Sequence, residues 1–421
     1  MSRIRKFAHS LASGYLLLGV NAAYTLASVP LALHYLSNEE FGLWALLTQI
    51  ASLKLMLVDF GMASSISRIL IDHKDNRASA HYGSVIQTGF GVLAIQGILI
   101  AIAGSGISFW LPDWMNLPGK FWHVFRWLLI GESLLLGATF SGRMFGFILF
   151  AYQRVDLSNY SGIGSFIVNL AVLWLGFKWH LGLYSLLLAY VVSLLFGIIF
   201  NGVAVRQLGL LPGKGNWGRF NSATFKELFF YGVDVFLISI GNQLIFSSQV
   251  PVITRVLGLE AAATWSIASK MFMLAQQVVF RVIYYASPAQ AEMMVRDERE
   301  RLKSRFRDLI ILAGAASVVI CLAVALCNES FLKIWTHGRI FWGFKNDLLF
   351  AVMMIIYSNS YCFAGLIAMT KKIRAMKYIY LIEGILFVLF SLLLARVFGL
   401  AGVMVSAIFT DLFCGGLYSV Y

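Results

Sequence analysis

Residues 181–205 read LGLYSLLLAYVVSLLFGIIFNGVAV, a run of 25 residues without a charged side chain. A helix of about 20 mostly apolar residues is long enough to cross the hydrocarbon core of a bilayer. The strands of a membrane-spanning barrel would instead alternate apolar and polar residues over about ten positions. Because this run is continuous, it predicts a transmembrane α-helix.

Runs of the same kind recur along the chain. We predict about twelve spanning helices, over residues 11–36, 42–67, 84–110, 122–150, 157–178, 181–205, 228–256, 260–286, 306–327, 346–370, 376–396 and 400–420. The composition agrees, since 59% of the residues are hydrophobic and 13% are charged, too few charges for the surface of a soluble domain of this size. The net charge of +13 would suit nucleic acid only on a soluble basic face, so no nucleic-acid partner is expected. The predicted class is an all-α integral membrane protein.

The basic residues are distributed unevenly between the two sides of the predicted bundle. They are concentrated in every second connection, for example between Arg296 and Arg307. The opposite connections and helix ends hold only six: Lys120, Lys178, Lys333, Arg339, Lys345 and Arg396. Lys and Arg are enriched on the cytoplasmic side of membrane proteins. We therefore predict a multi-pass protein of the bacterial cytoplasmic membrane with both termini in the cytoplasm.

An internal repeat relates the two halves of the chain. A gap-free shift of 221 residues aligns Asn21 with Asn242, Val29-Pro30 with Val250-Pro251, Leu36 with Leu257, Glu39 with Glu260, and Trp44 with Trp265. The sequence thus predicts two parallel six-helix bundles, over residues 1–206 and 228–421, joined by a cytoplasmic linker over 207–227. In transporters built from parallel repeats the substrate site lies between the halves.

One predicted helix carries a polar stripe. Gln277 and Arg281 lie seven and eleven residues after Lys270, so the three side chains share one helix face within about 20°. Ser266 extends the stripe by one turn. The stripe either faces an aqueous cavity or forms a polar seam between helices. A cation-rich cavity would favour phosphate or diphosphate, because Lys and Arg form charge-assisted hydrogen bonds with such groups.

Other charged residues also fall within the predicted spans, where a charge costs about 2.5–3.5 kcal/mol on insertion scales. The acidic ones are Asp59, Glu132, Asp234, Glu383 and Asp411. Asp59 and Asp234 either carry a coupling ion, H⁺ or Na⁺, or pair with Lys54 or another basic residue. Glu132 and Arg143 line up on one helix, so we predict that they belong to an ion pair within or between helices.

Several short motifs resemble one known family. Residues 40–45 (Glu-Phe-Gly-Leu-Trp-Ala) and 58–62 (Val-Asp-Phe-Gly-Met) resemble the first and second helices of polysaccharide flippases. Residues 257–259 (Leu-Gly-Leu) and 265–270 (Trp-Ser-Ile-Ala-Ser-Lys) resemble the matching segment of the second half. The family is the Wzx-type O-antigen and exopolysaccharide translocases. It belongs to the multidrug/oligosaccharidyl-lipid/polysaccharide (MOP) exporter superfamily, with the multidrug and toxin extruders (MATE) and the lipid II flippases.

The resemblance implies a V-shaped, MATE-like fold around a central cavity. It implies ion-coupled alternating access that moves an undecaprenyl-diphosphate-linked oligosaccharide from the inner to the outer leaflet. The substrate-binding positions that follow from it are Asn21, Lys54, Asn242, Lys270, Gln277 and Arg281. Asp59 and Asp234 would then be the candidates for ion coupling, and the partners would be membrane lipids, a polysaccharide polymerase and chain-length proteins.

Two other functions were weighed against the flippase. A multidrug or cation antiporter of the same fold should have an acidic or aromatic cavity, and the lysines argue against it. A membrane polysaccharide polymerase or ligase would need a sizeable outer loop, whereas the outer connections 111–121 and 328–345 are short and lack an acid/base cluster. We therefore expect a transporter rather than an enzyme, with no catalytic residue, metal or cofactor.

Overall fold

The computed structural model describes residues 3–73, 80–213, 215–369 and 374–416, and most of them lie in α-helices. The helices of the first half are α1 (Arg3–Tyr35), α2 (Asn38–Asp59), α3 (Met62–His73), α4 (Ala80–Ile107), α5 (Leu111–Trp114), α6 (Gly119–Thr139), α7 (Arg143–Ala151), α8 (Val155–Lys178) and α9 (Tyr184–Gln207). Those of the second half are α10 (Ser222–Leu257), α11 (Leu259–Ala268), α12 (Lys270–Val295), α13 (Arg299–Trp335), α14 (Phe344–Met369), α15 (Arg374–Phe398) and α16 (Leu400–Thr410). A 3₁₀ turn, Phe140–Gly142, separates α6 from α7, and a π-helical turn, Asp411–Gly416, follows α16.

Each predicted span corresponds to one helix or to a pair of consecutive helical segments. Within the described ranges, nine helical stretches are long and apolar enough to cross a membrane, and Leu400–Gly416 is a shorter apolar one. Such helices satisfy their own backbone hydrogen bonds, which is what a chain in hydrocarbon requires. The predicted all-α integral membrane class is therefore confirmed.

Besides the span 122–150, which contains the 3₁₀ turn, two more of the predicted spans are interrupted. Phe60 and Gly61, with φ of 45° and 70°, separate α2 from α3, and Ser269 separates α11 from α12. A side chain on Gly61 would run into the backbone of Gly232, and its positive φ suits glycine. Hydropathy did not predict these breaks, because apart from Asp59 and Lys270 the runs on both sides of each break are mostly apolar.

The internal repeat is reflected in the helix boundaries. Pro30 lies inside α1 and Pro251 inside α10. A shift of 221 residues carries the first residue of α2, Asn38, onto the first residue of α11, Leu259. The correspondence then ends, because α2 continues unbroken to Asp59 while α11 stops at Ala268.

The chain divides into two compact units. Unit 1 contains Met1–Leu36 and Ile50–Phe236, and unit 2 contains Ser37–Gln49 and Leu237–Tyr421. The boundaries differ from the predicted ones, since the start of α2 belongs to unit 2 and the predicted linker belongs to unit 1. Within unit 2, the backbone of Gly42 lies directly against that of Leu259.

Unit 1 is held together by close helix packing. Helix α8 packs against α1 and α9, and α4 packs against α6. At the crossing of α4 and α6, a Cβ atom on Gly97 or on Gly137 would run into the carbonyl oxygen of the other glycine. Small residues allow transmembrane helices to approach this closely. A buried apolar cluster that includes Ile66, Leu93 and Met144 fills the neighbouring space.

Unit 2 has its main contacts between α13 and α14, α15 and α16, and α12 and α13. Trp265, Phe272, Trp342 and Phe350 form a buried aromatic cluster, in which Trp265 and Phe350 have ring centroids 5.4 Å apart. The aromatic edges and faces in this cluster meet at tilted or T-shaped angles, which their quadrupoles favour. The cluster joins α11 and α12 to α14.

Candidate functional site

Lys54 in unit 1 is neutralised by an ion pair. Its Nζ atom lies 2.9 Å from Oε2 of Glu132 on α6 and 2.8 Å from Oγ of Ser133. Lys54 is 8% exposed and Glu132 is 5% exposed. A buried cation held by a carboxylate in this way has its charge balanced inside the protein. The geometry therefore makes Lys54 an ion-pair partner of Glu132, and its role as a substrate ligand stays a prediction.

Asp59 and Arg143 form a second ion pair in unit 1. Arg143 Nη1 lies 3.3 Å from Asp59 Oδ1, and the guanidinium also packs over the rings of Phe140 and Phe147. The side chains are 35% and 20% exposed for Arg143 and Asp59. Of the two arrangements left open by the sequence, Glu132 and Arg143 have the one between helices, and each of them pairs with a residue of α2 and not with the other.

The end of α2 is fixed by hydrogen bonds around Asp59. Gln96 Nε2 on α4 donates to the backbone oxygens of Val58 and Asp59, at 2.8 and 2.9 Å. The backbone N–H of Ala63 donates to Asp59 Oδ2 at 3.4 Å, which caps the first turn of α3. Asp59 therefore stabilises the turn between α2 and α3. The sequence left open whether Asp59 carries a coupling ion or pairs with a basic residue, and the structure shows it paired with Arg143.

The polar stripe of unit 2 lies on α12. Because α12 runs without interruption from Lys270, the helical spacing that places Lys270, Gln277 and Arg281 on one face applies. Ser266 lies on α11, and the backbone of Ser269 stays in the right-handed helical region with its N–H bonded to the Trp265 carbonyl at 3.1 Å, so the place of Ser266 in the stripe stays a prediction. Gln277 is exposed, Arg281 is half-buried and interacts with another residue, and Lys270 is half-buried.

Lys270 differs from Lys54 in its surroundings. Among the described residues, Lys270 has no acceptor for its ammonium group, whereas Lys54 has two. An ammonium group deep in an apolar helix bundle is costly without a counter-charge. Lys270 therefore stays a predicted site residue, and its ammonium group has no acceptor among the described residues.

The remaining predicted site residues are less informative. Asn21 on α1 is half-buried, and Asn242 on α10 accepts a hydrogen bond from the Tyr357 hydroxyl at 3.3 Å. Asp234 belongs to α10, but its side chain lies outside the described residues. The contacts of Asn242 are within unit 2 and place it beside α14.

The structure also brings together polar residues that the sequence did not group. Glu383 on α15 and Asp411 in the π-helical turn are both buried and line one small cavity in unit 2. Ser360 on α14 donates a hydrogen bond to Asp411 Oδ2 at 2.8 Å. The sequence signal was an acidic residue in the middle of each of two apolar runs, but nothing in one helix predicts a contact with another.

A chain with many membrane-length helices is a multi-pass integral membrane protein, and the charged groups inside such helices mark candidate functional sites. Residues 13–294 match the model of a family described as polysaccharide biosynthesis protein. Since the match covers more than half of the chain, the protein belongs to this family. The resemblance read from the short motifs is confirmed.

Solved structures give the fold independently. An inward-facing MATE multidrug resistance transporter matches with a TM-score of 0.75 and 14% identity, over 94% of each chain. The lipid II flippase MurJ, in an inward closed conformation, matches with a TM-score of 0.77 and 10% identity, over 98% of this chain and 86% of that one. A MOP transporter from Pyrococcus furiosus has a TM-score of 0.59 and 14% identity, over 99% of this chain and 93% of that one. At these identities the matches establish a MATE-like fold, and no curated protein gives a significant match.

Proposed function

We propose that the protein is a flippase. It moves an undecaprenyl-diphosphate-linked oligosaccharide from the cytoplasmic to the periplasmic leaflet of a bacterial inner membrane, in exchange for an ion, with both termini in the cytoplasm. Family membership supports a role in polysaccharide biosynthesis. The fold of a lipid II flippase, which the chain resembles, accommodates this kind of transport. Such a transfer needs a protein, because a diphosphate and a hydroxyl-rich sugar are too polar to cross the hydrocarbon core of a bilayer unaided.

The observation that carries the proposal is the free charge of Lys270. An anionic head group would supply the acceptor that the described part of the chain does not. A diphosphate suits this role, because its oxygens accept charge-assisted hydrogen bonds from an ammonium. The same feature disfavours an exporter of lipophilic cations, which an uncompensated lysine would repel.

The test is the binding of undecaprenyl diphosphate to purified protein in detergent, with undecaprenol as the uncharged comparison lipid. A charge-assisted hydrogen bond contributes about 1.5–3 kcal/mol, so Lys270→Ala should weaken diphosphate binding roughly 10- to 100-fold. Lys270→Arg should retain most of the affinity. The matched control is Lys303→Ala, since Lys303 is an exposed lysine of unit 2.

Undecaprenol affinity should be unchanged in all three variants, because the prenyl chain binds through apolar contacts alone. Equal affinity of wild type and Lys270→Ala for undecaprenyl diphosphate would refute the assignment of Lys270. A stronger affinity for a lipophilic cationic dye than for the diphosphate lipid would favour the multidrug antiporter instead.

A further inference from the structure

Unit 2 contains a pair of buried carboxyl groups. Glu383 is 0% exposed and Asp411 is 5% exposed. Both line a cavity of about 20 Å³, whose other walls include Ile245, Phe246 and Met353. A cavity of this volume holds about one water-sized body. The two acids therefore share a small and largely apolar chamber within one unit.

The two carboxyl groups are unequally supplied with hydrogen-bond donors. Asp411 Oδ2 accepts from the Ser360 hydroxyl at 2.8 Å. Glu383 is in hydrogen-bond contact with the Asp411 carboxyl group and with the backbone N–H of Gly415, but no hydroxyl, amide or cationic side chain among the described residues donates to it. A Cβ atom added to Gly415 would lie 2.8 Å from Glu383 Oε2 and 3.2 Å from Asp411 Oδ1, so the chain closes tightly over both groups.

The helices around the pair offer titratable groups but no neutralising cation. Helix α14 contributes Tyr357, α15 contributes Tyr380, and the π-helical turn contributes Cys414. The Tyr357 hydroxyl donates to Asn242. Helix α10 lines the cavity with Ile245, Phe246 and Gln249, and Gln249 Oε1 accepts from the indole N–H of Trp265. In the described part of the chain, no Lys, Arg or His forms an ion pair with either acid.

Two ionised carboxylates in such a chamber would be strongly unfavourable. Burial penalises each charge, and the two like charges repel each other. One bound proton removes the repulsion and the burial penalty of one charge, and the protonated Glu383 becomes an O–H donor that stabilises the remaining carboxylate of Asp411. A hydrated metal cation does not fit a cavity that holds about one water. Gln249 and Tyr357, the other polar side chains that line the cavity among the described residues, are already hydrogen-bonded.

We propose that Glu383 and Asp411 form a proton-binding site that takes up and releases a single proton. The reaction is the transfer of H⁺ from water to one carboxylate, which leaves the pair with one negative charge. The site lies in a π-helical turn, an irregularity that is frequent at functional positions. If the proposed flippase function holds, this pair supplies the coupling ion, a role for which Asp59 is less suited because it is paired with Arg143.

Difference infrared spectroscopy between low and high pH tests the site directly. A protonated carboxylic acid has a carbonyl stretch that an ionised carboxylate lacks. We expect Glu383→Gln and Asp411→Asn each to remove one component of the titrating band, and the double variant to remove no more than either single one. The matched control is Asp113→Asn, an exposed acid in α5, which should leave that component in place.

The design remains decisive if one variant folds poorly, because the other variant tests the same shared proton. An unchanged band in both Glu383→Gln and Asp411→Asn would overturn the proposal. So would loss of the component on addition of NaCl at constant pH, since the site would then bind a metal cation.

A second experiment separates this inference from the proposed function. Glu383→Gln should abolish the stimulation of undecaprenyl-diphosphate translocation by a pH gradient in vesicles. Its affinity for undecaprenyl diphosphate should stay within about twofold of wild type. Lys270→Ala should show the weakened binding of undecaprenyl diphosphate while it keeps the infrared component. If only the infrared component responds as expected, the proton site stands and the flippase assignment fails. If binding depends on Lys270 but the infrared component ignores both acids, the flippase stands and the proton site fails.

Discussion

Removal of Glu132 tests whether Lys54 is a structural residue. Lys54 Nζ and Glu132 Oε2 are 2.9 Å apart, which corresponds to an attraction of about 6 kcal/mol at an effective dielectric constant of about 20. Desolvation offsets much of that gain, but loss of one partner leaves a buried charge and typically costs about 3–5 kcal/mol. We therefore expect Glu132→Leu to lower the free energy of unfolding by about 3–5 kcal/mol.

The second half of the prediction is rescue. In the double variant Lys54→Met/Glu132→Leu neither charge is buried, so stability should return to within about 1–2 kcal/mol of wild type. The measurement is unfolding of purified protein by a rising fraction of SDS in mixed micelles, followed by tryptophan fluorescence. Wild type, both single variants and the double variant form a complete double-mutant cycle.

The control and the refuting results are equally specific. Glu300→Leu removes an exposed acid, and its effect should be within about 0.5 kcal/mol. The affinity of the double variant for undecaprenyl diphosphate should also be within about twofold of that of wild type, because the charge of Lys54 is already balanced by Glu132. If the unfolding free energies lost by the two single variants simply add in the double variant, or if the double variant loses lipid binding, the reasoning from the ion pair is wrong. Loss of lipid binding would show that Lys54 acts on the ligand.

Two further predictions follow from unit 1. Arg143→Leu and Asp59→Asn should each lower the free energy of unfolding by about 1–2 kcal/mol in the same SDS assay. This cost is smaller than that of Glu132→Leu, because the pair of Arg143 and Asp59 is partly exposed. A cost for either variant above that of Glu132→Leu would contradict this ranking. Gly97→Ala should sharply reduce the yield of folded protein in fluorescence-detected gel filtration, because the added methyl group meets the carbonyl oxygen of Gly137. Gly106→Ala is its control, as nothing lies within 4 Å of the added carbon, and equal yields for the two variants would refute the packing argument.

The helices were predictable because hydrocarbon imposes one requirement on every span. An apolar run of sufficient length must become a helix to satisfy its backbone, and this requirement is local. It predicted the long helices but not the short α5 helix, nor the breaks at Gly61 and Ser269. Those depend on contacts, such as that of Gly61 with Gly232, which hydropathy does not record.

The ion pairs were less predictable, because each partner lies on a different helix. Periodicity places residues on faces of one helix, so it aligned Glu132 with Arg143. The fold gives both residues partners on α2, and Glu132 is 78 residues away from Lys54. The stripe from Lys270 to Arg281 was predictable as a helix face because it lies within a single unbroken helix.

The distribution of unbalanced charge distinguishes the two units. In unit 1 the described buried cation is matched by a carboxylate, and the pair can be satisfied without any ligand. In unit 2 the ammonium of Lys270 lacks a described acceptor, and Glu383 lacks a described cationic or side-chain donor other than the Asp411 carboxyl group. The two proposals assign an anion to Lys270 and a proton to the pair of acids, because a buried charge without a counter-charge is costly.

Helix α14 connects these two groups physically. Phe280 on α12 stacks on Tyr361 of α14 with ring centroids 4.2 Å apart, and the neighbouring Ser360 donates to Asp411. A shift of α14 that accompanied proton binding would therefore move the ring against which α12 packs. Coupling between two sites is reciprocal, so a proton that changes the affinity of α12 for an anion must have its own affinity changed by that anion. The two proposals therefore place an anion site and a proton site in unit 2, on helices that both pack against α14.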